Sequence, residues 1–416
     1  MDIIKTYRSA GLVLAYPLAF AYLKFFMADN SDGFAFLRRV LFVLGFILLN
    51  ELIVRGSSKK PAKETCFWYA VMGIVALTSV TGISELVSMF ALHLCALYVA
   101  VVSSGILYEG RTGSFIVWDL INAGFVKSLT GLGNPFSDFF EIIRGKKGNE
   151  NSASVTVGVL SLIFVIPFFV IAVALLCSIN PSFDAAVTHI LNQLDVKWVF
   201  KNLHLFMLAV PVSIYLYAMI SQSARAEGEK EKAAYGRIVS WRNKCHQLSP
   251  VIAAVITGLF VILYLTFFVF EGSYLFSAFA GKVPQEFTVA QYARRGFFEL
   301  TGIMTINMLI CIIMSYLVRR NAVGRKASMG MMIALMSESI LFAVISFSKL
   351  ALYYSRFGYT PKRLLAMWGA LIFAAGAVMV IASIIKRRDM SRPWIYFATC
   401  SFTLMNVVSS VLALMY

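Results

Sequence analysis

A carboxylate inside a long apolar run is the strongest candidate for chemistry in this sequence. Glu338 stands about seven residues into the run 330–354, roughly 10 Å deep if the run is a spanning helix. Ionisable groups at such depth are costly and commonly mark a path for protons, ions or substrates. Two interpretations stay open for Glu338, since it could belong to such a polar path or hold helices together.

Three other polar side chains interrupt apolar runs. Lys349 follows Glu338 by eleven residues and shares its helical face, but about 16 Å separates them, which is too far for pairing. We expect the Lys349 side chain to extend to the outer surface. For Asn307 and His93 the favoured interpretation is hydrogen bonding between helices, and the alternative is a shared intramembrane polar path with Glu338.

A cluster of charges at the end of one run is the second candidate site. Arg295 and Glu299 are four residues apart and can form an ion pair. Five cations on the same predicted outer side could together bind an anion. The alternative is an interfacial anchor with one salt bridge and contacts to lipid phosphates. This predicted basin consists of Arg294, Arg295, Glu299, Arg356, Lys362 and Arg363.

Catalytic and metal-binding patterns are missing from the sequence. It has no H-E-x-x-H, no G-x-S-x-G, no paired aspartates and no P-loop. The six cysteines form no C-x-x-C pair, and the four histidines lack metal-ligand spacing. We therefore expect no enzyme activity, no metal and no cofactor. The missing P-loop excludes transport powered by the chain's own ATP hydrolysis.

Composition places the chain in a membrane. Of 416 residues, 59% are hydrophobic and 14% charged, and the mean hydropathy is +0.78. A soluble domain has about 45–50% apolar and about 25% charged residues. The net charge of +16 does not indicate nucleic acid, because the cations lie in short loops between apolar runs. The predicted partner is the lipid bilayer, and no pattern indicates an oligomeric state.

Apolar runs long enough to cross a bilayer recur throughout the chain. Each is too long and uninterrupted for a strand, and lipid admits only helices or closed barrels. The sequence thus predicts an all-α polytopic transmembrane bundle of about 11 spans. The runs are 9–27, 36–54, 66–82, 85–107, 154–179, 203–221, 250–270, 296–318, 330–354, 364–385 and 394–416.

The distribution of Lys and Arg predicts the orientation. With the N-terminus in the cytoplasm, 25 of these residues lie in inner segments and 10 in outer segments. Eleven spans then place the C-terminus outside. The first run could instead be a signal peptide with 19–21 as its cleavage site, but it continues to Met27, which favours a retained helix.

Connections between the runs carry structure of their own. Residues 114–129 have an apolar stripe at helical spacing, which predicts an amphipathic helix in the inner interface, with a re-entrant loop as the alternative. Ser182 is the predicted N-cap of an outer surface helix, and Thr288 with Gln291 predicts a capping box. The charged loop 222–247 is expected to be solvated, partly helical and cytoplasmic.

The order of these elements suggests three segments along the chain. Residues 1–107 form an N-terminal four-helix membrane segment, and residues 108–153 hold the cytoplasmic interfacial helices. Residues 154–416 form a C-terminal membrane segment of seven helices.

Three stretches resemble a bacterial membrane family known as domain of unknown function 4173, which is related to 4153. Residues 292–300 (YARRGFFEL), followed by Asn307, resemble its signature. Residues 353–364 are similar to its Tyr-Gly-Leu-Thr-x-x-Arg-Leu segment, and residues 178–183 to its Ser-Ala-Asp-Pro-x-Phe segment, with Asn180 in place of the acidic residue. The resemblance covers about 150–385 and implies a multi-pass protein of the bacterial cytoplasmic (inner) membrane, without implying an activity.

Two functions fit these features. A transporter or a lipid or envelope translocator would use Glu338 inside the membrane and the basic basin outside. A membrane sensor or regulatory subunit would instead dock a cytoplasmic protein partner through 114–147 or 222–247.

Overall fold

Helices account for every long element in the computed structural model, which describes residues 2–27, 35–145, 165, 169, 172–173, 175–193, 202–319 and 322–415. The fold is all-α, as predicted. The larger helices are α1 (Asp2–Ala21), α2 (Ala35–Gly56), α3 (Thr65–Thr78), α4 (Glu85–Ser103), α5 (Ile116–Ile121), α6 (Asn134–Gly145), α7 (Pro181–Gln193), α8 (Leu203–Arg225), α9 (Gly228–Lys244), α10 (Pro250–Phe270), α11 (Gly272–Phe276), α12 (Val289–Leu317), α13 (Arg325–Phe357), α14 (Pro361–Lys386) and α15 (Ser391–Met415).

Eight of the described helices are long and apolar enough to cross a bilayer. They are α1 with its π-helical continuation to Phe26, α4, α8, α10, α12, α13, α14 and α15. The protein itself buries only 17% to 50% of the residues in these spans. Apolar surface of this extent needs lipid to cover it, so the chain is a polytopic helical membrane protein.

Three of the eleven predicted spans lack this support. The run 36–54 is helical, but α2 carries two arginines and a glutamate within its apolar stretch. The run 66–82 contains only the 14-residue α3, about 21 Å long and shorter than the ~30 Å hydrocarbon core. The run 154–179 lies largely outside the described residues. The count of eleven therefore stays a prediction.

The chain packs into two compact units. Unit 1 comprises Met1–Val80 and Met89–Gly228, and unit 2 comprises Thr81–Ser88 and Glu229–Tyr416. These units follow packing, whereas the three segments predicted from the sequence follow chain order. That three-segment division stays a prediction.

In unit 1, a buried aspartate ties the amphipathic α6 to two spanning helices. Asp138 is 1% exposed, and both of its oxygens accept hydrogen bonds from Arg225 of α8. The Tyr217 hydroxyl donates to the same carboxylate at 2.7 Å. Arg8 of α1 lies 3.7 Å from Asp138 and donates to Glu141 at 2.8 Å. Since losing one partner would leave a buried charge uncompensated, this network fixes α6 in place.

The segment that begins with α5 has its polar side toward the protein and its apolar side outward. It continues as a π-helical turn (Asn122–Lys127) and a last α-turn (Ser128–Thr130). A soluble protein would turn the other face inward, so this stripe faces lipid, as both predicted placements require. The buried polar residues are Asp119, Asn122, Lys127 and Ser128, and the exposed large apolar ones are Val117, Ile121, Phe125, Val126 and Leu129.

In unit 2, α13 is the central helix and packs against α10, α12 and α14. Its 33 residues span about 50 Å, so it extends beyond the hydrocarbon core. In the most apolar 18-residue stretch of α13, half of the residues are buried, which is the largest share among the candidate spans. Leu335, Met336 and Phe342 of α13 form the core with Met304 of α12 and Tyr264 of α10.

Two helix starts tested local predictions. The Thr288 capping box is confirmed, because Gln291 N–H donates to the Thr288 hydroxyl and the Gln291 side chain accepts from the Thr288 N–H. Ser182 as an N-cap was wrong. Helix α7 begins at Pro181, two residues earlier than an N-cap at Ser182 implies, and the Asn180 side chain accepts the Ser182 N–H at 2.9 Å. Proline suits the first helical position, and Asn is a strong cap.

The predicted sides of three loops can be tested with three single cysteines. Lys60→Cys and Lys232→Cys should resist a membrane-impermeant maleimide added to sealed cells, and Lys362→Cys should react. An even number of predicted spans precedes 60 and 232, whereas an odd number precedes 362. The unsubstituted chain measures labelling of the six native cysteines. Equal labelling of all three sites would contradict the eleven-span topology.

Candidate functional site

Glu338 of α13 lies in the apolar core of unit 2. Glu338 is 8% exposed, and neither of its carboxylate oxygens has a hydrogen-bond partner among the described residues. Tyr264 of α10 is close enough to interact with it electrostatically. A carboxylate in such surroundings needs a proton, a cation or a polar ligand to compensate its charge.

Other buried polar groups accompany Glu338 along α13. At about 100° per residue, Lys349 is roughly 20° from Glu338 around the helix, and the serines are roughly 80–100° away. Serine hydroxyls inside helices usually bond to a carbonyl of the preceding turn, but those of Ser328 and Ser346 have no partner in the described part of the chain. The buried polar residues of α13 are Ser328, Glu338, Ser339, Ser346 and Lys349, and we call this set the α13 polar line.

Asn307 joins three helices through its amide. The Tyr264 hydroxyl of α10 donates to Asn307 Oδ1 at 2.9 Å, and Asn307 Nδ2 donates to Ser339 Oγ of α13 at 2.9 Å. Asn307 is fully buried on α12. These are the contacts expected of an interhelical hydrogen bond, which is the interpretation that the sequence favoured.

Lys349 is enclosed by aromatic rings. The residue is 0% exposed, and its Nζ lies 4.0 Å from the ring centroid of Tyr274 and 4.3 Å from that of Tyr292. Burial raises the pKa of the Tyr274 phenol, so this ring is neutral at physiological pH and contacts the ammonium through its π face. The expectation that Lys349 extends to the outer surface was wrong, because the rings hold the amine inside the protein.

Gly296 of α12 also packs against the Lys349 side chain. A Cβ on Gly296 would lie 2.6 Å from Lys349 Cδ and 3.1 Å from Nζ, closer than side chains tolerate. The Tyr292 hydroxyl contacts the Tyr274 carbonyl oxygen at 2.6 Å and Ser277 Oγ at 2.7 Å, which fixes its ring. Tyr274, Tyr292 and Gly296 thus form a lysine cage. Sequence reasoning missed it, since no local spacing links Tyr274 to Lys349.

The predicted basic basin is only partly assembled. Arg295 Nε donates to Glu299 Oε1 at 2.7 Å, which confirms the predicted ion pair, but both side chains are exposed and the pair adds little stability. Arg294 and Arg295 line an open groove of about 440 Å³ with Phe287 and Gln291. Arg356, Lys362 and Arg363 do not line this groove, so a joint basin of five cations stays a prediction.

The Arg363 side chain contacts the C-terminus of α13, the helix before its own. Its guanidinium lies 4.1 Å from the Tyr353 ring centroid, and Nη1 donates to the carbonyl oxygens of Phe357 and Gly358 at 2.9 and 2.6 Å. A cation at the C-terminus of a helix satisfies its last carbonyls and the helix dipole. The contacts of Arg363 are those of a cap on α13.

His93 is satisfied within unit 1. Its Nδ1 contacts the Met89 carbonyl oxygen at 2.7 Å, and its Nε2 contacts the Tyr22 hydroxyl at 2.8 Å. A carbonyl oxygen can only accept, so Nδ1 carries the hydrogen, and in the neutral ring Nε2 accepts from Tyr22. The contact with Tyr22 is an interhelical hydrogen bond, as was expected for His93, whereas the contact with Met89 lies within α4.

Metal ligands are not gathered anywhere in the described residues. No group of three or more His, Cys, Asp or Glu side chains is placed there to hold an ion. All six cysteines are free, and only Cys311 is fully buried.

The lysine cage predicts opposite effects for two glycines of α12. Gly296→Ala should lower the free energy of unfolding by about 1–3 kcal/mol, because its Cβ displaces Lys349 from the rings. Gly302→Ala should be neutral or stabilising, since a Cβ there meets nothing within 4 Å. In a Lys349→Ala background the cost of Gly296→Ala should largely vanish. Thermal unfolding in detergent measures all three, and similar melting temperatures for the two alanine variants would refute the cage.

Comparison with known proteins identifies a family but no activity. Residues 66–413 match the family described as Domain of unknown function (DUF4153), a longer stretch than the 150–385 of the resemblance seen in the sequence. The match is to the related family that was named with the resemblance, and membership of DUF4173 is not shown. No curated protein and no solved structure matches the chain. Since the match covers more than four-fifths of its length, the chain belongs to the DUF4153 family.

Proposed function

We propose that the protein is a membrane transporter in which α13 provides the path for a proton or a polar substrate. The observation that carries this proposal is the pair of buried ionisable side chains on one face of a spanning helix. Glu338 and Lys349 both lack hydrogen-bond partners among the described residues. Groups kept in a membrane for structure alone would be expected to bond to neighbouring helices, as Asn307 does.

Several polar groups of unit 2 follow one another in space, beginning at the first turns of α12 and ending at Glu338 on α13. The groove with Arg294 and Arg295 lies beside Gly296, which contacts Lys349. Glu299 interacts electrostatically with Lys349 as well as pairing with Arg295. Glu338 follows about 16 Å farther along α13. An anion attracted to the two arginines of the groove would thus meet a third cation, Lys349, before it reaches the Glu338 carboxyl group.

In this mechanism Glu338 carries the coupling proton. A protonated carboxyl is tolerated in the apolar core, whereas the ionised form needs a cation or polar ligand beside it. The hydroxyls of Ser328 and Ser346 are buried and without partners in the described chain, so they are available to bond with a substrate or water along the α13 polar line. Exchange between two helix arrangements would expose Glu338 alternately to each side of the membrane.

A regulatory subunit is the second candidate function, and α9 favours it. This helix carries charges of both signs, and its Trp241 is 68% exposed. An exposed tryptophan in a charged helix suits the centre of a protein interface. If the protein is a regulatory subunit, Trp241→Glu should release its cytoplasmic partner. A transporter that has no such partner should be unaffected by the substitution.

The transport proposal predicts a selective loss in Glu338→Gln. The substitution keeps the size of the side chain and removes its proton. Vesicles containing the purified protein and an internal pH-sensitive dye would receive gradients of inorganic phosphate or of small carboxylates. The wild-type protein should move protons with at least one of these anions, and Glu338→Gln should abolish that proton movement while keeping the melting temperature.

Ser337→Ala is the matched control, because Ser337 is the exposed neighbour of Glu338 and bonds only to its own helix. It should retain proton movement. Proton movement in Glu338→Gln equal to wild type, or an unchanged phenotype in a strain that requires the protein, would remove Glu338 from the mechanism.

A further inference from the structure

Unit 1 contains a cavity among its spanning helices. Its volume is about 470 Å³, within the range of roughly 300–1,000 Å³ that is typical of ligand sites. The wall comes from the π-helical turn after α1 and from α2, α3, α4 and α8. π-helical turns inside helices are frequent at functional sites, and here the turn Tyr22–Phe26 supplies two wall residues.

The polar atoms of this wall are bonded within the protein. Tyr22 pairs with His93 as described, and the Tyr215 hydroxyl donates to the Gly124 carbonyl oxygen at 2.9 Å. The other wall residues are apolar, among them Phe42, Phe46, Leu92 and Leu97. Because a polar ligand would lose its own hydrogen bonds to water without replacement here, the cavity selects an apolar occupant.

The surroundings of the cavity identify that occupant as a lipid chain. α4 and α8, together with the helix Ile3–Phe26, are candidate membrane spans, so the wall lies at the depth of the hydrocarbon layer. Acyl chains are the apolar molecules that a bilayer supplies at this depth. On α2, the wall residues Phe42 and Val43 each follow an arginine by one helical turn.

These two arginines place positive charge at one end of the cavity. Arg39 is 1% exposed and its Nη1 donates to Ser79 Oγ at 3.0 Å, which fixes the guanidinium near the start of α2. Arg38 is half-buried beside it. Guanidinium groups bind phosphate strongly, and anionic lipid headgroups lie at the ends of spanning helices.

We propose that the unit 1 cavity binds one acyl chain of an anionic phospholipid whose headgroup phosphate lies toward Arg38. The site is complete within unit 1, so this proposal does not depend on the transport function proposed for unit 2. This lipid is held in a specific site inside unit 1 and is distinct from the lipid that surrounds every membrane protein.

Photochemical labelling of the full-length protein tests the site. The protein is reconstituted in phosphatidylcholine vesicles that contain a small fraction of phosphatidylglycerol with a diazirine in its acyl chain. After illumination, adducts should concentrate on the wall residues Phe42, Val43 and Phe46 of α2 and Leu92, Ala96 and Leu97 of α4. Exposed residues of the same α2, namely Leu41, Leu44 and Leu48, report ordinary surrounding lipid. Adducts at these residues as frequent as those on the wall would overturn the proposal.

A variant that fills the cavity should strongly reduce the labelling of its wall. Ala96→Phe should reduce wall adducts roughly tenfold, which corresponds to a loss of about 1.4 kcal/mol of binding free energy. Val212→Phe, at another wall position, serves if Ala96→Phe lowers the melting temperature. Ala413→Phe on an exposed face of α15 is the matched control and should leave the adducts unchanged. Wall labelling that persists in a stably folded filled variant would contradict the site.

The headgroup is tested by a second probe. A phosphatidylcholine with the same diazirine chain should label the wall less than the phosphatidylglycerol probe does. Arg38→Gln should remove that difference. Equal labelling by the two probes in the wild-type protein would overturn the assignment of an anionic headgroup.

Discussion

Hydrocarbon offers no hydrogen bonds to a polar side chain, and this constraint governs where the polar residues of the protein lie. Asn307 and His93 satisfy it by bonding to neighbouring helices or to their own backbone. Asp138 satisfies it with a guanidinium and a tyrosine hydroxyl. Lipid also explains the segment that begins with α5, where the large apolar side chains are exposed and the polar ones are buried.

Glu338 and Lys349 stand apart from these satisfied groups. Lys349 has partial compensation from two aromatic rings, whose faces attract a cation without accepting a conventional hydrogen bond. Neither carboxylate oxygen of Glu338 has a hydrogen-bond partner in the described structure, although Tyr264 is close enough to interact with it electrostatically. Because such groups are costly to retain in a membrane, their presence on one helix favours a role in moving charge or substrate.

The two units offer different chemistry. Unit 2 holds the α13 polar line and the lysine cage, which suit a proton or a polar solute. Unit 1 holds an apolar cavity whose own polar atoms are bonded within the protein, which suits a hydrocarbon chain. A transporter and a lipid-binding element can therefore coexist in one chain without sharing residues.

Local features of the fold were predictable from sequence. Hydropathy and length identify the membrane class and most of the long helices, because a spanning helix is defined by about 20 consecutive residues. The Thr288 capping box and the Arg295–Glu299 pair were also predictable, since their partners are three and four residues apart. The cap of α7 was placed two residues too late, because Pro181 and Asn180 together outweigh Ser182 at that helix start.

What the sequence alone determined is thus the class of protein, its helices and its short-range contacts, all of which depend on neighbours along the chain. Only the tertiary structure decided that Lys349 is held between Tyr274 and Tyr292 against Gly296, and that Asn307 bridges Tyr264 and Ser339. Helix packing sets these contacts, because side chains far apart in sequence meet only when particular helix faces are brought together, and hydropathy does not specify which faces pair.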